Sequence, residues 1–183
     1  MIIGLIGFKQ VGKSTAAKHL IAKHGFVLHN MKSAIIAEMK ANMADTLNLL
    51  GPLYNMTVDE LFDKKPPLMR ALMVDYGMMR RKDRKDYWIN SWNNEAYKML
   101  DLDGNKVIGN IVADDIRFTN ESTALQSLGG ILIRLTRSDI TTGGDSISET
   151  EHLQIVADFT IECEPGNPEK MYKELDKIVA QMV

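Results

Sequence analysis

The segment Gly7-Phe-Lys-Gln-Val-Gly12-Lys13-Ser14 limits what this chain can fold into more than any other. It matches G-x-x-x-x-G-K-[ST] in full. Before it lies an apolar run, residues 1–6, that reads as a strand covered on both faces, and after it a helix expected from Lys13 to about His24, stopped by Gly25. A strand, a glycine-rich turn and a helix N-terminus in that order make an anion cradle. The glycines let backbone N–H groups wrap around phosphate oxygens without a Cβ intruding, and the helix end adds partial positive charge. From average residue usage, the four fixed positions coincide by chance in about 0.6% of chains of this length. Gly7, Lys9, Gln10, Val11, Gly12, Lys13, Ser14 and Thr15 are therefore the expected contacts to a nucleoside triphosphate. Lys13 should reach its β and γ phosphates, and Ser14 should place a hydroxyl on the Mg²⁺ that bridges them.

Composition narrows the class around that loop. At 183 residues with 45% apolar content, one domain over 1–183 is expected. Lys and Arg number 22 against 24 Asp and Glu, so no broad basic face marks a nucleic-acid partner, and any anion site must be local. The single cysteine, Cys163, excludes an intramolecular disulfide and points to a reducing compartment. The apolar N-terminus is too short for a secretory core, and no stretch approaches the roughly 20 apolar residues that cross a bilayer. A cytoplasmic protein without a membrane partner is expected.

Hydrophobic periodicity gives the order of elements. Phe26–His29 reads as a second strand, and Ile35, Ile36, Met39, Met43, Leu47 and Leu50 place residues 33–50 on one amphipathic helix ended by Gly51-Pro52. Thr57-Val-Asp-Glu60 is a capping box that opens a short helix. Two more helical stripes follow, through Leu68, Leu72 and Tyr76 and through Trp88, Trp92 and Leu100. Asp103-Gly104 should turn the chain into a strand at Val107–Ala113, followed by a helix at Asn120–Leu128 and a strand at Ile131–Leu135. A polar loop at 136–150 precedes a fifth strand, Phe159–Glu162, and a C-terminal helix. Alternation of this kind predicts an α/β three-layer sandwich around a five-stranded parallel sheet.

A second motif stands at the end of the third expected strand: Asp114-Asp115-Ile116-Arg117-Phe118-Thr119-Asn120-Glu121. Ligands bind at this edge in open α/β sheets. An aspartate here can order the water shell of Mg²⁺, and Arg117 can take an acceptor phosphate in a two-pronged hydrogen bond. A GTPase reading fails because Asp101-Leu-Asp-Gly104 precedes its strand and Asn105-Lys-Val-Ile108 lacks the base-binding aspartate. Transfer chemistry asks instead for cations on mobile segments, and Arg70, Arg80, Arg81, Arg117, Arg134 and Arg137 supply them.

Taken together, Gly7–Ser14, Asp115–Glu121, Arg137, Ser148-Glu149 and Asp158-Phe-Thr-Ile161 resemble, in order, the motifs of the deoxynucleoside monophosphate kinases of bacteriophages, a family similar in fold to adenylate kinase. Arg70, Gly77, Arg80-Arg81 and Trp88 extend the resemblance over nearly the whole chain. The family usually has Pro where Thr119 stands and Gln where Val74 stands. Its lysine early in the helix after the second strand aligns with Ile36, with Lys32 or Lys40 as substitutes.

The resemblance implies an ATP-dependent, Mg²⁺-dependent transfer to a deoxynucleoside monophosphate, in host cytoplasm if phage-encoded, and it allows a homodimer. Lys13, Arg70, Arg117 and Arg137 would be catalytic, and Ser14 and Asp115 would hold the metal. Lys32, Arg70, Asp115, Arg117 and Glu149 would contact the acceptor. A helical acceptor-binding region would span about 31–100, and a lid loop about 136–150. The alternatives are another small-molecule kinase, such as one acting on dephospho-coenzyme A, or a nucleotide-dependent switch without transfer.

Overall fold

Five consecutive residues of the first strand are buried, as a strand with helices on both sides requires. The computed structural model describes residues 1–100, 109–140 and 150–182. In chain order the elements are β1 (Ile2–Ile6), α1 (Lys13–His24), β2 (Phe26–Leu28), α2 (Met31–Asn42), α3 (Ala44–Tyr54), α4 (Val58–Lys64), α5 (Pro67–Asp83) and α6 (Tyr87–Leu100). Then come β3 (Asn110–Ala113), α7 (Thr119–Ser127), β4 (Ile131–Thr136), a 3-10 turn (Glu151–Gln154), β5 (Phe159–Glu162) and α8 (Glu169–Gln181). The expected Asp103-Gly104 turn, the first residues of the expected strand at 107–113 and residues 141–149 of the expected lid lie outside the described residues.

The chain divides into two units, residues 1–30 with 93–183, and residues 31–92. The first holds the sheet. Its strands run in the order β2-β3-β1-β4-β5, and every pairing is parallel. Side chains alternate across β1. Ile3 and Leu5 enter a core with Ala16, Ala17 and Leu20 of α1 and Met171, Leu175 and Ile178 of α8. Gly4 faces the other way: a Cβ there would come within 2.8 Å of Leu125 on α7. Helices therefore cover both faces, and the fold is the expected three-layer α/β sandwich around a five-stranded parallel sheet. Each fully buried Leu or Ile in these layers contributes about 2 kcal/mol by leaving water.

In the second unit Met39, Leu47, Leu50, Leu61, Phe62, Met69, Tyr76 and Trp88 form a separate core. The single helix expected at 33–50 is two, broken at Met43 (φ −128°, ψ 25°). The apolar spacing ran straight through the break because α2 and α3 both face this core, with Met43 packed against it. Gly51-Pro52 does not end α3 either. Asn55, in the left-handed region, closes it by donating to the carbonyls of Gly51 and Pro52. Gly51 serves a close approach: Met56 donates to its carbonyl at 2.9 Å, and a Cβ would meet the Met56 carbonyl oxygen at 2.8 Å.

The Thr57 capping box forms as expected. The Glu60 N–H donates to Thr57 Oγ1 at 3.2 Å, and the Thr57 N–H donates to Glu60 Oε2 at 2.9 Å. Lys64 on the far oxygen, with that backbone bond, holds the Glu60 carboxyl down to about 2. Glu38 gathers three donors, Tyr76 Oη at 2.9 Å, Arg80 Nε at 2.7 Å and Tyr87 Oη at 2.6 Å. Burial pushes its carboxyl up, but the bonds from Tyr87, Tyr76 and Arg80 outweigh that and leave it lowered. Arg80 lies over the Tyr76 and Tyr87 rings as well, so this guanidinium is engaged inside the unit.

Candidate active site

The loop between β1 and α1 takes backbone conformations that only certain residues tolerate. Gly7 has φ 142°, and a Cβ there would lie 2.4 Å from the Leu135 carbonyl oxygen, so β4 leaves no room for a side chain. Gly12, with φ 115°, is the N-cap of α1. Gln10, at φ 66°, adopts the left-handed region without being glycine, a strain that folded proteins retain mainly where function needs the geometry. Val11 is buried in the sheet core, so it can offer a ligand only its backbone, whereas Lys9, Gln10, Ser14 and Thr15 are exposed.

Lys13 turns back over this loop. Its Nζ donates to the Gly7 carbonyl at 2.6 Å and the Phe8 carbonyl at 2.8 Å, which holds the ammonium against the loop backbone. Ser14 Oγ donates to Asp114 Oδ2 at 2.7 Å. The resemblance names Ser14 and Asp115 for the metal; the side chain that Ser14 bonds is that of Asp114, buried at the end of β3, with half-buried Asp115 next in the chain. The Asp114 N–H donates to Asn30 Oδ1 at 2.9 Å, and Asn30 is itself buried just past β2. Three parallel strand ends thus converge on one hydroxyl and one carboxylate. An oxygen-only pair at the end of a phosphate loop is the donor set that Mg²⁺ accepts, together with phosphate oxygens, so these residues fit that ion.

Beyond Asp114 the chain turns tightly. Buried Glu121 accepts from the Arg117 N–H at 2.9 Å and the Phe118 N–H at 3.1 Å, which fixes the turn carrying half-buried Arg117. Glu151 accepts from both the N–H and the hydroxyl of Thr119, at 3.1 and 3.0 Å. A proline at 119 could make neither bond. The departure from the resembled motif therefore ties the start of α7 to the segment that returns from residues 141–149. Arg134 holds the same segment by donating to the carbonyls of His152 at 3.0 Å and Ile155 at 2.6 Å, and Phe8 meets the His152 ring edge-on at 4.8 Å. Arg134 thus acts as a brace.

Arg137 follows β4. Its guanidinium grips Asp139 with two prongs, at 2.7 and 3.0 Å, and donates to the Gln10 carbonyl at 3.1 Å. The bond to Asp139 raises the arginine and lowers the aspartate. Burial pushes the Cys163 thiol up, so it is no reactive thiolate. Lys32, half-buried in the first turn of α2, and exposed Arg70 on α5 belong to the second unit. Glu149 lies outside the described residues. Asn30, Glu121 and Glu151 were missed as site residues. The Glu121 bonds to the Arg117 and Phe118 N–H groups span only four and three positions, but the Asn30 bond depends on β2 pairing with β3 across more than eighty positions.

No family model and no curated protein matches this chain. Among solved structures it is similar to shikimate kinase from Aquifex aeolicus vf5, at 13% identity over 98% of this chain and 96% of that one, with a TM-score of 0.44. It is also similar to TT1252 from Thermus thermophilus, at 18% identity over 100% of this chain and 98% of that one, with a TM-score of 0.50. The first is too distant in geometry to carry an argument, and the second likeness is one of fold alone. Among the described residues, no helix is long and apolar enough to cross a membrane.

Proposed function

We propose that this chain is a phosphotransferase that moves the γ-phosphate of ATP onto a deoxynucleoside monophosphate. The observation that carries the reading is the 2.7 Å bond between Ser14 and Asp114 beside a loop held in left-handed conformations at Gly7, Gln10 and Gly12. In the proposed step an acceptor phosphate oxygen attacks the γ-phosphorus, the P–O bond to the β-phosphate breaks, and ADP and a deoxynucleoside diphosphate leave. Mg²⁺, when bound with ATP, offsets charge on the β and γ phosphates.

The chain's own groups do the rest. Backbone N–H groups from Gly7 to Thr15, Lys9, Gln10 and Val11 among them, cradle the phosphates. Lys13 would move from the carbonyls of Gly7 and Phe8 to the phosphate oxygens, and Ser14 with Asp114, Asp115 next to them, would hold the metal. Arg117 takes the acceptor phosphate. Arg137 leaves Asp139 as the loop at 136–150 closes and excludes water, which limits hydrolysis of ATP. The resemblance to phage deoxynucleoside monophosphate kinases assigns Lys32, Arg70 and Glu149 to the acceptor as well.

A coupled assay of ADP release across dAMP, dCMP, dGMP, dTMP and dephospho-coenzyme A tests this. Turnover that requires one of the deoxynucleotides supports the proposal. Turnover with dephospho-coenzyme A alone would make the chain a different kinase, and slow acceptor-independent hydrolysis would make it a switch.

A further inference from the structure

Three metal-ligating side chains meet away from the phosphate loop, where the C-terminal helix packs on α1. We propose that His19, His24 and Asp176 form a binding site for a first-row transition dication, zinc by preference, which clasps α8 to the helix behind the loop. His19 Nε2 lies 2.8 Å and His24 Nε2 2.7 Å from the same carboxylate oxygen, Asp176 Oδ1. Ligand atoms of the three residues all lie within 4.8 Å of one another.

Two imidazoles and a carboxylate, with water in the fourth position, are a donor set that zinc accepts. Bonds of about 2.0–2.2 Å in a tetrahedron separate ligand atoms by about 3.3–3.6 Å. Insertion therefore asks each imidazole nitrogen to draw back from Oδ1 by about 0.5–0.9 Å, within the reach of side-chain rotation.

This convergence is not given by helical spacing. Residues five apart point about 140° away from each other on an ideal helix. They meet because His24 is the last residue of α1, before Gly25 at φ 67°, and because the carboxylate arrives from α8. Surrounding groups hold the ligands as outer partners of a metal site do. The His19 ring stacks on Tyr172 at 4.1 Å and 5°. Lys23 Nζ binds Asp176 Oδ2 at 2.7 Å, which leaves Oδ1 turned toward the imidazoles. The three ligand side chains are 13%, 19% and 27% exposed, shielded yet open to an entering ion.

The competing reading is an ionic staple in which both imidazoles merely donate to Asp176. Titration of the untagged full chain with Co²⁺ and then Zn²⁺, in excess Mg²⁺ to fill oxygen-only sites, separates the two. One equivalent of Co²⁺ should give the visible absorption of a four-coordinate ion, Zn²⁺ should abolish it, and Zn²⁺ should raise the melting temperature. His24→Ala and Asp176→Asn, each checked for native circular dichroism, should lose the absorption and bind Zn²⁺ about tenfold more weakly or worse. His24 ends its helix, so its variant should fold even if that of Asp176 does not. Absence of a cobalt spectrum in the parent, or the same spectrum in His24→Ala, would overturn the proposal. Every readout is independent of phosphoryl transfer.

Discussion

Lys13 lies with its ammonium against two loop carbonyls, a position from which a bound polyphosphate would draw it. If it stabilises the charge that builds as the γ-phosphoryl departs, Lys13→Ala should lower kcat by about a thousandfold while circular dichroism stays native. Near-normal turnover would remove it from the mechanism. The two neighbouring aspartates divide differently. Because Ser14 meets Asp114, Asp114→Asn should raise the Mg²⁺ concentration needed for half-maximal turnover well above that of Asp115→Asn, read from metal titrations of initial rate. Equal shifts would show that the Ser14 bond does not mark the metal ligand. The backbone of the loop was legible in the sequence, since Gly7 and Gly12 each answer to a local steric requirement. That Asp114 and not Asp115 bonds Ser14 is not legible in the sequence, because a sequence cannot say at which residue β3 ends, and one residue turns a carboxylate from the buried edge to the next turn. Thr119 was read only as a departure, because Glu151, its partner, is 32 positions away.

At the scale of elements, the caps and the sheet were legible. Thr57-to-Glu60, Gly25 and the strand runs are local signals that the tertiary structure did not override. The break at Met43 was not, since helices on either side of a single non-helical residue can keep one apolar face on one core. Glu38 shows how α2, α5 and α6 are joined within their unit. Glu38→Gln removes the charge and turns one of the two acceptor oxygens into a donor, so Tyr76, Arg80 and Tyr87 can no longer all be satisfied, and the variant should cost about 2 kcal/mol in urea unfolding at pH 7. The sign with pH follows from the lowered carboxyl. Its contribution is complete above the ordinary glutamate range, about pH 4–5, and is lost as pH falls through the lowered value. The gap between parent and variant should therefore narrow on acidification below about pH 4. A gap that stayed constant down to pH 2 (about the lower limit of such titrations) would mean that Glu38's charge does not join these helices.

At the scale of the whole molecule, a formal charge of −2 leaves any anion binding to local geometry, and under the proposed function the loop at the carboxyl end of β1 would concentrate it. Mg-ATP bound only to the folded state should stabilise it, by about 2.7 kcal/mol at a hundredfold excess over Kd. Gly7→Ala places a Cβ against the Leu135 carbonyl and should lose this ligand-dependent rise in melting temperature. A full rise in that variant would show the nucleotide bound elsewhere. Transfer to an acceptor is observed directly by phosphorus-31 NMR of the chain with Mg-ATP and each deoxynucleoside monophosphate. ADP and one deoxynucleoside diphosphate should appear in equal amounts as ATP disappears; inorganic phosphate as the sole product, or unchanged ATP, would contradict it.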